Sequence, residues 1–291
     1  MISYLNGETM SLSLIYITNV PAVASIAETN GVDRIMVDLE TLGKEERQRN
    51  MNTVKSNHTV EDISVIAGVL KKSEMLVRVN PWNEKSPEEI EAVISAGADR
   101  IMLPMWKTVE EADMFLTTVN NRVNTILLLE TKEAVNVIDE VLEHPLLDEI
   151  YIGLNDLHLS YGLTCRFELL ANGVVEMLCE KFNAKGLKYG FGGIARIGEG
   201  TLPAELIVTE HYRLGSTISI LSRSFCNATE IKDIDEVEDI FKTNMKVLRE
   251  FEDGVVNSSE EEYLENKKQV AEKTRLIVDT IKEKRKHVFC N

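Results

Sequence analysis

Residues 125–157 read TILLLETKEAVNVIDEVLEHPLLDEIYIGLNDL, and this stretch decides the fold. It opens on an apolar run that ends in a carboxylate, Glu130, followed by Thr131. Ala134, Val137, Ile138, Val141 and Leu142 then recur at helical spacing, which lays one apolar stripe against a sheet and leaves the charges outside. A second short run at 149–153 follows and leads into Gly153-Leu154-Asn155-Asp156. Strands so continuously apolar are buried on both faces, and parallel strands covered by helices are the usual case.

The unit repeats in both directions. Comparable runs lie at 12–18, 34–39, 75–79, 100–104, 188–192 and 217–221, which with 125–130 and 149–153 makes eight. Between them, Ile63, Ile66, Ala67 and Leu70 fall on one helical stripe, as do Ile90, Val93, Ile94 and Gly97. Phe167, Leu170, Ala171, Val174, Val175 and Leu178 read as one longer helix. Ser86-Pro87-Glu88-Glu89 and Thr108-Val109-Glu110-Glu111 carry the signals of helix starts. Gly97, Gly186 and Gly215 each stop a helix before a strand. Eight such units in roughly 220 residues predict a closed (β/α)8 TIM barrel. An open doubly wound sheet would carry a glycine-rich phosphate loop after its first strand. That position reads Thr18-Asn19-Val20-Pro21, without glycine.

We assign the barrel to residues 1–230 and a C-terminal helical extension to 231–291. In the tail, Ile234, Val237, Phe241, Met245 and Leu248 step by three or four along a first helix. Asp253-Gly254 predicts a turn, and 260–284 a second helix with Tyr263, Val270, Ile277 and Ile281 on one side. These faces are expected to pack on the barrel or on a neighbouring subunit.

The chain has 291 residues, 44% of them hydrophobic, with a formal net charge of −16. So acidic a surface repels phosphate backbones and anionic headgroups, which argues against nucleic-acid and membrane-surface partners. An anionic substrate would need a local positive site, a metal or a placed arginine. The four cysteines, Cys165, Cys179, Cys226 and Cys290, form no C-x-x-C pair and read as free thiols of a reducing compartment. Met1–Met10 lacks the basic and apolar blocks of a signal peptide, and no apolar run approaches the roughly 20 residues of a membrane span. A cytoplasmic protein is the expectation.

In such barrels chemistry sits at the C-terminal ends of the strands. Those ends carry Asp38-Leu39-Glu40, Arg78-Val79-Asn80-Pro81, Pro104-Met105-Trp106-Lys107, Glu130-Thr131, Gly153-Leu154-Asn155-Asp156, Gly192-Gly193 and Ser222-Arg223-Ser224. A carboxylate ending a buried run is costly unless paired or coordinating. Glu130 and Asp156, on consecutive strands, suit a hard cation such as Mg2+ or Mn2+, or else structural ion pairs with Arg78 or a lysine. Arg78 can offer its fork to a carboxylate or to a developing oxyanion, or serve as a buried partner of Asp38 and Glu40. Asp38 and Glu40, two apart, point to one side and could supply a base, hold metal-bound water or orient Arg78. Gly192-Gly193 would allow a ligand close to the backbone. His158 reads as a surface or supporting histidine, and Trp82 and Trp106 as pocket walls or ordinary core.

In this order, these motifs resemble those of the HpcH/HpaI aldolase and citrate lyase β-subunit family. The matching pieces are Val37-Asp38-Leu39-Glu40, Val77-Arg78-Val79-Asn80-Pro81, Gly97-Ala98-Asp99-Arg100-Ile101-Met102-Leu103-Pro104, Leu129-Glu130-Thr131 and Ile152-Gly153-Leu154-Asn155-Asp156-Leu157, within residues 12–225. The resemblance implies a barrel that binds Mg2+ or Mn2+ through Glu130 and Asp156 and makes or breaks carbon–carbon bonds through an enolate. It implies that Arg78 steadies the enolate and that backbone amides near Asn155 and Asp156 receive a substrate carboxylate. It also implies a homo-oligomer, often a trimer or hexamer.

Two departures bear on the substrate. The citrate-lyase-like branch usually has a second acid directly after Asp-Leu-Glu, and the keto-acid aldolase branch a histidine; here stands Thr41. The aldolase branch also usually has Gln two residues before the metal Glu, where this chain has Leu128. Leu-Glu-Thr at strand five favours the citrate-lyase-like branch, while the catalytic base stays unassigned. The expectation is a metal-dependent lyase acting on a β-hydroxy acyl thioester or related hydroxy acid. The alternatives are a pyruvate-releasing aldolase of 2-keto-3-deoxy or 4-hydroxy-2-keto acids, and a non-catalytic keto-acid-binding barrel.

Overall fold

Apolar strands can satisfy their backbone groups on both edges only by pairing on both sides, and a ring does this without leaving an edge. In the computed structural model, β1 (Ser13–Ile17), β2 (Arg34–Asp38), β3 (Glu74–Arg78), β4 (Arg100–Leu103), β5 (Asn124–Leu129), β6 (Glu149–Ile152), β7 (Lys188–Ile194) and β8 (Ile218–Leu221) form a closed barrel in chain order. All neighbours are parallel, and β8 returns to β1. The described residues are 11–43, 57–231 and 233–289. Met1–Met10 and Cys290, each read from the sequence, lie outside them.

Helices cover the ring: α1 (Pro21–Thr29), α2 (Val60–Ala67), α3 (Ser86–Ser95), α4 (Val109–Val119), α5 (Lys132–Val141), α6 (Leu154–Ser160), α7 (Glu168–Ala171), α8 (Val174–Ala184) and α9 (Ala204–Arg213). After β8 come α10 (Ile234–Val255) and α11 (Glu260–Phe289). α10 packs between α1 and α9, with Val237, Phe241, Met245 and Leu248 buried, while α11 lies across α7 and α9. Both tail helices thus pack on the barrel of their own chain. No helix among the described residues is long and apolar enough to cross a membrane.

Alternation along the strands sorts the barrel interior into layers. Ile15, Met36, Leu76, Met102, Ile126, Leu128, Tyr151 and Ile218 fill its middle as one apolar cluster. Two residues before this layer, β2 and β3 carry Arg34 and Glu74; two residues after it they carry Asp38 and Arg78. The inner face is therefore charged at both ends and apolar between. The register sets Asp38 beside Arg78.

Three local readings need correction. The stripe from Phe167 to Leu178 is two helices, because Gly173 adopts φ +85 and breaks the run. Asp253-Gly254 is no turn: α10 continues through Gly254 to Val255, because propensity costs only about 1 kcal/mol there and packing outweighs it. Ser86 lies inside α3 rather than capping it, with Lys85 at the cap and Ser86 Oγ accepting from Asn83 N. The stops hold, since Gly97, Gly186 and Gly215 all have positive φ.

Candidate active site at the barrel mouth

Arg78 ends β3 and is turned inward by the strand's alternation, next to the last residue of β2. Its Nε donates to Asp38 Oδ1 at 2.9 Å and its Nη2 to Asp38 Oδ2 at 2.8 Å, a two-pronged pair. The same Nη2 lies 3.4 Å from Glu40 Oε2. Asp38 Oδ1 also accepts the Glu40 amide at 3.2 Å. Both acids are almost wholly buried, at 2% and 3% exposure, while the Arg78 side chain keeps 17%. Burial alone would lower the guanidinium's pKa; the charges of Asp38, Glu40 and Glu130 more than reverse this and raise it, so Arg78 stays ionised.

Glu130, 3% exposed, stands just past β5 and belongs to the same cluster through its charge on Arg78. Its carboxylate is held from two sides. Met105 N donates to Oε1 at 3.1 Å, and Met105 takes φ +56 to aim that amide, a conformation that costs a residue with a β-carbon about 1–2 kcal/mol. On the other side, a Cβ at position 153 would come within 2.7 Å of Glu130 Oε2, so only glycine leaves room there. Asp156 follows three residues later in the first turn of α6, partly exposed. Asn155 is exposed and turns outward, where its Oδ1 accepts from Arg166 Nη1 at 3.1 Å.

The structure thus gathers Asp38, Glu40 and Arg78 directly, holds Glu130 between Met105 N and Gly153 with its charge in reach of Arg78, sets Asp156 three residues after Gly153, and places Asn155 on the rim. Asp38 and Glu40 contact the guanidinium, and Glu130 acts on it through its charge. Among the described residues there is no group of three or more His, Cys, Asp and Glu side chains disposed to hold a metal. A carboxylate pair still fits Mg2+, which takes one or two carboxylates and completes its shell with water and substrate.

Other residues fare differently. Gly192 takes φ +62, but its close neighbour is Leu154, and its carbonyl accepts from the Tyr151 hydroxyl at 2.6 Å. The approach expected of a ligand is made by the protein's own side chains. Trp106 is buried core, and His158 is buried with Nδ1 3.1 Å from Leu154 O. Sequence spacing misses His58, whose Nδ1 accepts the Asp38 amide at 3.0 Å. That bond places the neutral imidazole's proton on Nε2. Its signal is absent from the sequence because the contact spans 20 residues of connecting chain.

A family model described as HpcH/HpaI aldolase/citrate lyase matches residues 13–169. Among solved structures, an HpcH/HpaI aldolase from Desulfitobacterium hafniense DCB-2 is similar at 15% identity and TM-score 0.59, covering 82% of this chain and 93% of that one. An HpcH/HpaI aldolase/citrate lyase family protein from Burkholderia cenocepacia J2315 follows at 14% and 0.57, covering 82% and 94%. The citrate synthase SbnG is similar at 16% and 0.56, covering 82% and 94%. At these identities the likeness speaks for the fold. No curated protein matches the chain.

Proposed function

The chain belongs to the HpcH/HpaI aldolase/citrate lyase family, and from that premise we propose a divalent-metal-dependent carbon–carbon lyase that cleaves a β-hydroxy acyl thioester or related hydroxy acid. The observation that carries the proposal is the Asp38–Arg78 fork at the barrel mouth, with the charge of Glu130 in reach of the same guanidinium.

Glu130 and Asp156 would hold Mg2+ or Mn2+. Such an ion supplies Lewis acidity toward a carbonyl oxygen. Arg78, fixed in plane by both oxygens of Asp38, adds positive charge where the enolate oxygen develops. Asp38 or Glu40, both beside Arg78, would take the proton of the β-hydroxyl. Loss of that proton turns the hydroxyl carbon into a carbonyl, the carbon–carbon bond breaks, and its electron pair passes to the enolate. Helix geometry leaves the amides of the first α6 turn without an intrahelical acceptor, available to a substrate carboxylate.

The test is retro-aldol turnover over a panel of β-hydroxy acyl thioesters and hydroxy acids, with 2-keto-3-deoxy and 4-hydroxy-2-keto acids read by released pyruvate. A chelator is expected to abolish turnover and Mg2+ or Mn2+ to restore it. Glu130→Ala should lower kcat at least about a thousandfold, as loss of a principal charge-stabilising group does. Turnover indifferent to the chelator, or intact in Glu130→Ala, defeats the reading.

A further inference from the structure

β7 and β8 slip out of register at one point. Gly190 pairs with Ile218, but the next pairs are Gly193 with Ile220 and Ile194 with Leu221, so β7 carries one residue more than β8 in between. Such a bulge interrupts the ladder and re-aims the chain beyond it. Tyr151 of β6 fills the interruption. Its ring lies in the apolar middle layer of the barrel, 1% exposed. Its hydroxyl donates to Gly192 O at 2.6 Å and accepts from Ile220 N at 2.9 Å, and so bridges the two strands where they part. Gly190 makes room for the ring: a Cβ there would meet Tyr151 Cε2 at 2.7 Å and Ile218 O at 2.2 Å. Burial raises the phenol's pKa, so it keeps the proton that it donates.

The next contacts lead to the mouth. Gly192, at φ +62, lies so close to Leu154 that a Cβ would come within 2.9 Å of Leu154 Cδ1. Leu154 is buried and opens α6. Gly153, just before it, backs the Glu130 carboxylate and donates its amide to Leu129 O at 2.9 Å. Asp156 follows Leu154 in the same turn. The start of α6 is thus held between the bulge on one side and Glu130 on the other. Groups packed at contact distance have no slack, so a shift of Gly192 is passed on to Leu154.

We propose that Tyr151 is a positioning residue: by locking the bulge it sets the start of α6, and with it the placement of Asp156 relative to Glu130. The inference rests on the reading of those two acids as the holders of the cation, and it adds a buried residue below the mouth on which their spacing depends. Tyr151 acts through the backbone of β7, as residues behind a metal's ligands do when they fix ligand orientation.

The experiment compares Tyr151→Phe with Tyr189→Phe, both in the full chain. Tyr189 is a matched control: it is also buried, lies on β7 itself, and its hydroxyl donates to Leu214 O at 2.6 Å, at the end of that strand away from the mouth. Both variants are expected to melt at a lower temperature. Two readouts separate positioning from stability. In the metal-free chain, hydrogen exchange should quicken over residues 153–157 and 190–194 in Tyr151→Phe and stay unchanged there in Tyr189→Phe. Mn2+ titrated calorimetrically should bind Tyr151→Phe about tenfold to a hundredfold more weakly than wild type, and Tyr189→Phe as tightly as wild type. Mn2+ affinity that is kept in Tyr151→Phe, or lost equally in both variants, overturns the proposal, as does unchanged exchange over 153–157. The exchange measurement involves no metal. If it responds as expected while wild type binds no Mn2+, the cation reading falls and the link from Tyr151 to α6 stands.

Discussion

The barrel has two buried ionic clusters, one at each end of the same strands, and they are built to opposite rules. At the N-terminal floor, Arg34, Glu74, Arg100 and Glu149 open β2, β3, β4 and β6. Arg34 reaches across the interior to Glu149 with two bonds of 2.7 and 2.9 Å, and its Nε meets Glu74 at 3.0 Å. Arg100 binds the same two acids, at 3.1 and 3.2 Å. Two cations and two anions close on themselves. At the mouth, Asp38 and Glu40 meet Arg78, and Glu130 acts on it through its charge. A neutral, mutually saturated cluster ties strands together. In this architecture the floor commonly serves stability and the C-terminal strand ends chemistry.

The largest effect should come from breaking the floor. Glu149 is 2% exposed, so Glu149→Leu strands two buried guanidinium groups against a single acid. Removing one partner of a buried pair costs about 3–5 kcal/mol. Urea unfolding should show that loss, with activity per folded molecule retained. A loss below about 1 kcal/mol would mean that the floor is not the clamp described.

Arg78→Gln tests the mouth in the opposite sense. It removes a positive charge from an acid-rich cluster, so the expected loss is in kcat/KM, about a thousandfold or about 4 kcal/mol in barrier, with a smaller change in unfolding free energy than Glu149→Leu. Mg2+ should raise the melting temperature of this variant at least as much as that of wild type, since the cation site gains relative negative charge. If Arg78→Gln unfolds as readily as Glu149→Leu while keeping its rate, the two clusters have the same role and the contrast fails.

How much of this was legible differs between the two ends for a physical reason. The mouth residues close apolar runs, so Asp38, Arg78 and Glu130 stand out as charges where burial is expected, and all eight strands could be read from those runs. The floor residues begin the runs, where a charge looks like an ordinary solvated strand start. Arg34 and Glu149 meet across 115 residues of chain, a pairing that exists only once the ring closes. The same limit hid His58. Gly173 and Gly254 were misjudged in opposite directions because identical chemistry breaks a helix in one packing context and is overruled in another. Strand-end position left Glu130 and Asp156 as either a cation pair or structural ion pairs, resemblance favoured the cation and added Asn155, and their test is the experiment on turnover.

A smaller effect should sharpen the view of the mouth as a positioned site. Asn80 Oδ1 accepts from Thr41 N at 2.9 Å and Leu42 N at 3.1 Å, and Asn80 Nδ2 donates to Glu89 Oε1 at 2.8 Å. The residue thus fastens the chain just after Glu40 to β3 and α3. Asn80→Ala frees that turn, and kcat is expected to fall about tenfold, with KM changing less, if each lost bond is worth about 1 kcal/mol. Asn80→Asp, which keeps the acceptor for Thr41 N and Leu42 N but loses the donor and sets a carboxylate against Glu89, should recover only part of the rate. Equal losses in both variants would point to folding instead of positioning.

The smallest effect concerns a buried polar group that has neither rule to follow. His211 is wholly buried beneath α9, stacked on Phe191 with ring centroids 3.9 Å apart, and its Nδ1 lies 2.8 Å from Ser216 Oγ. Its Nε2 has no hydrogen-bond partner. Floor and mouth charges survive burial because an opposite charge is present, whereas burial without one pushes the His211 pKa down to about 3. The folded chain therefore keeps a neutral imidazole at pH values where the unfolded chain, with its histidine near 6.5, takes up a proton. Stability from this group is complete above about pH 6.5 and drains as pH falls toward 3, by about 1 kcal/mol between pH 7 and 5.5. His211→Leu should remove that part of the slope, measured as urea midpoints across the range, since Ser216 Oγ retains Tyr189 O at 3.2 Å as a partner. An unchanged slope would mean that His211 is not a source of the acid sensitivity.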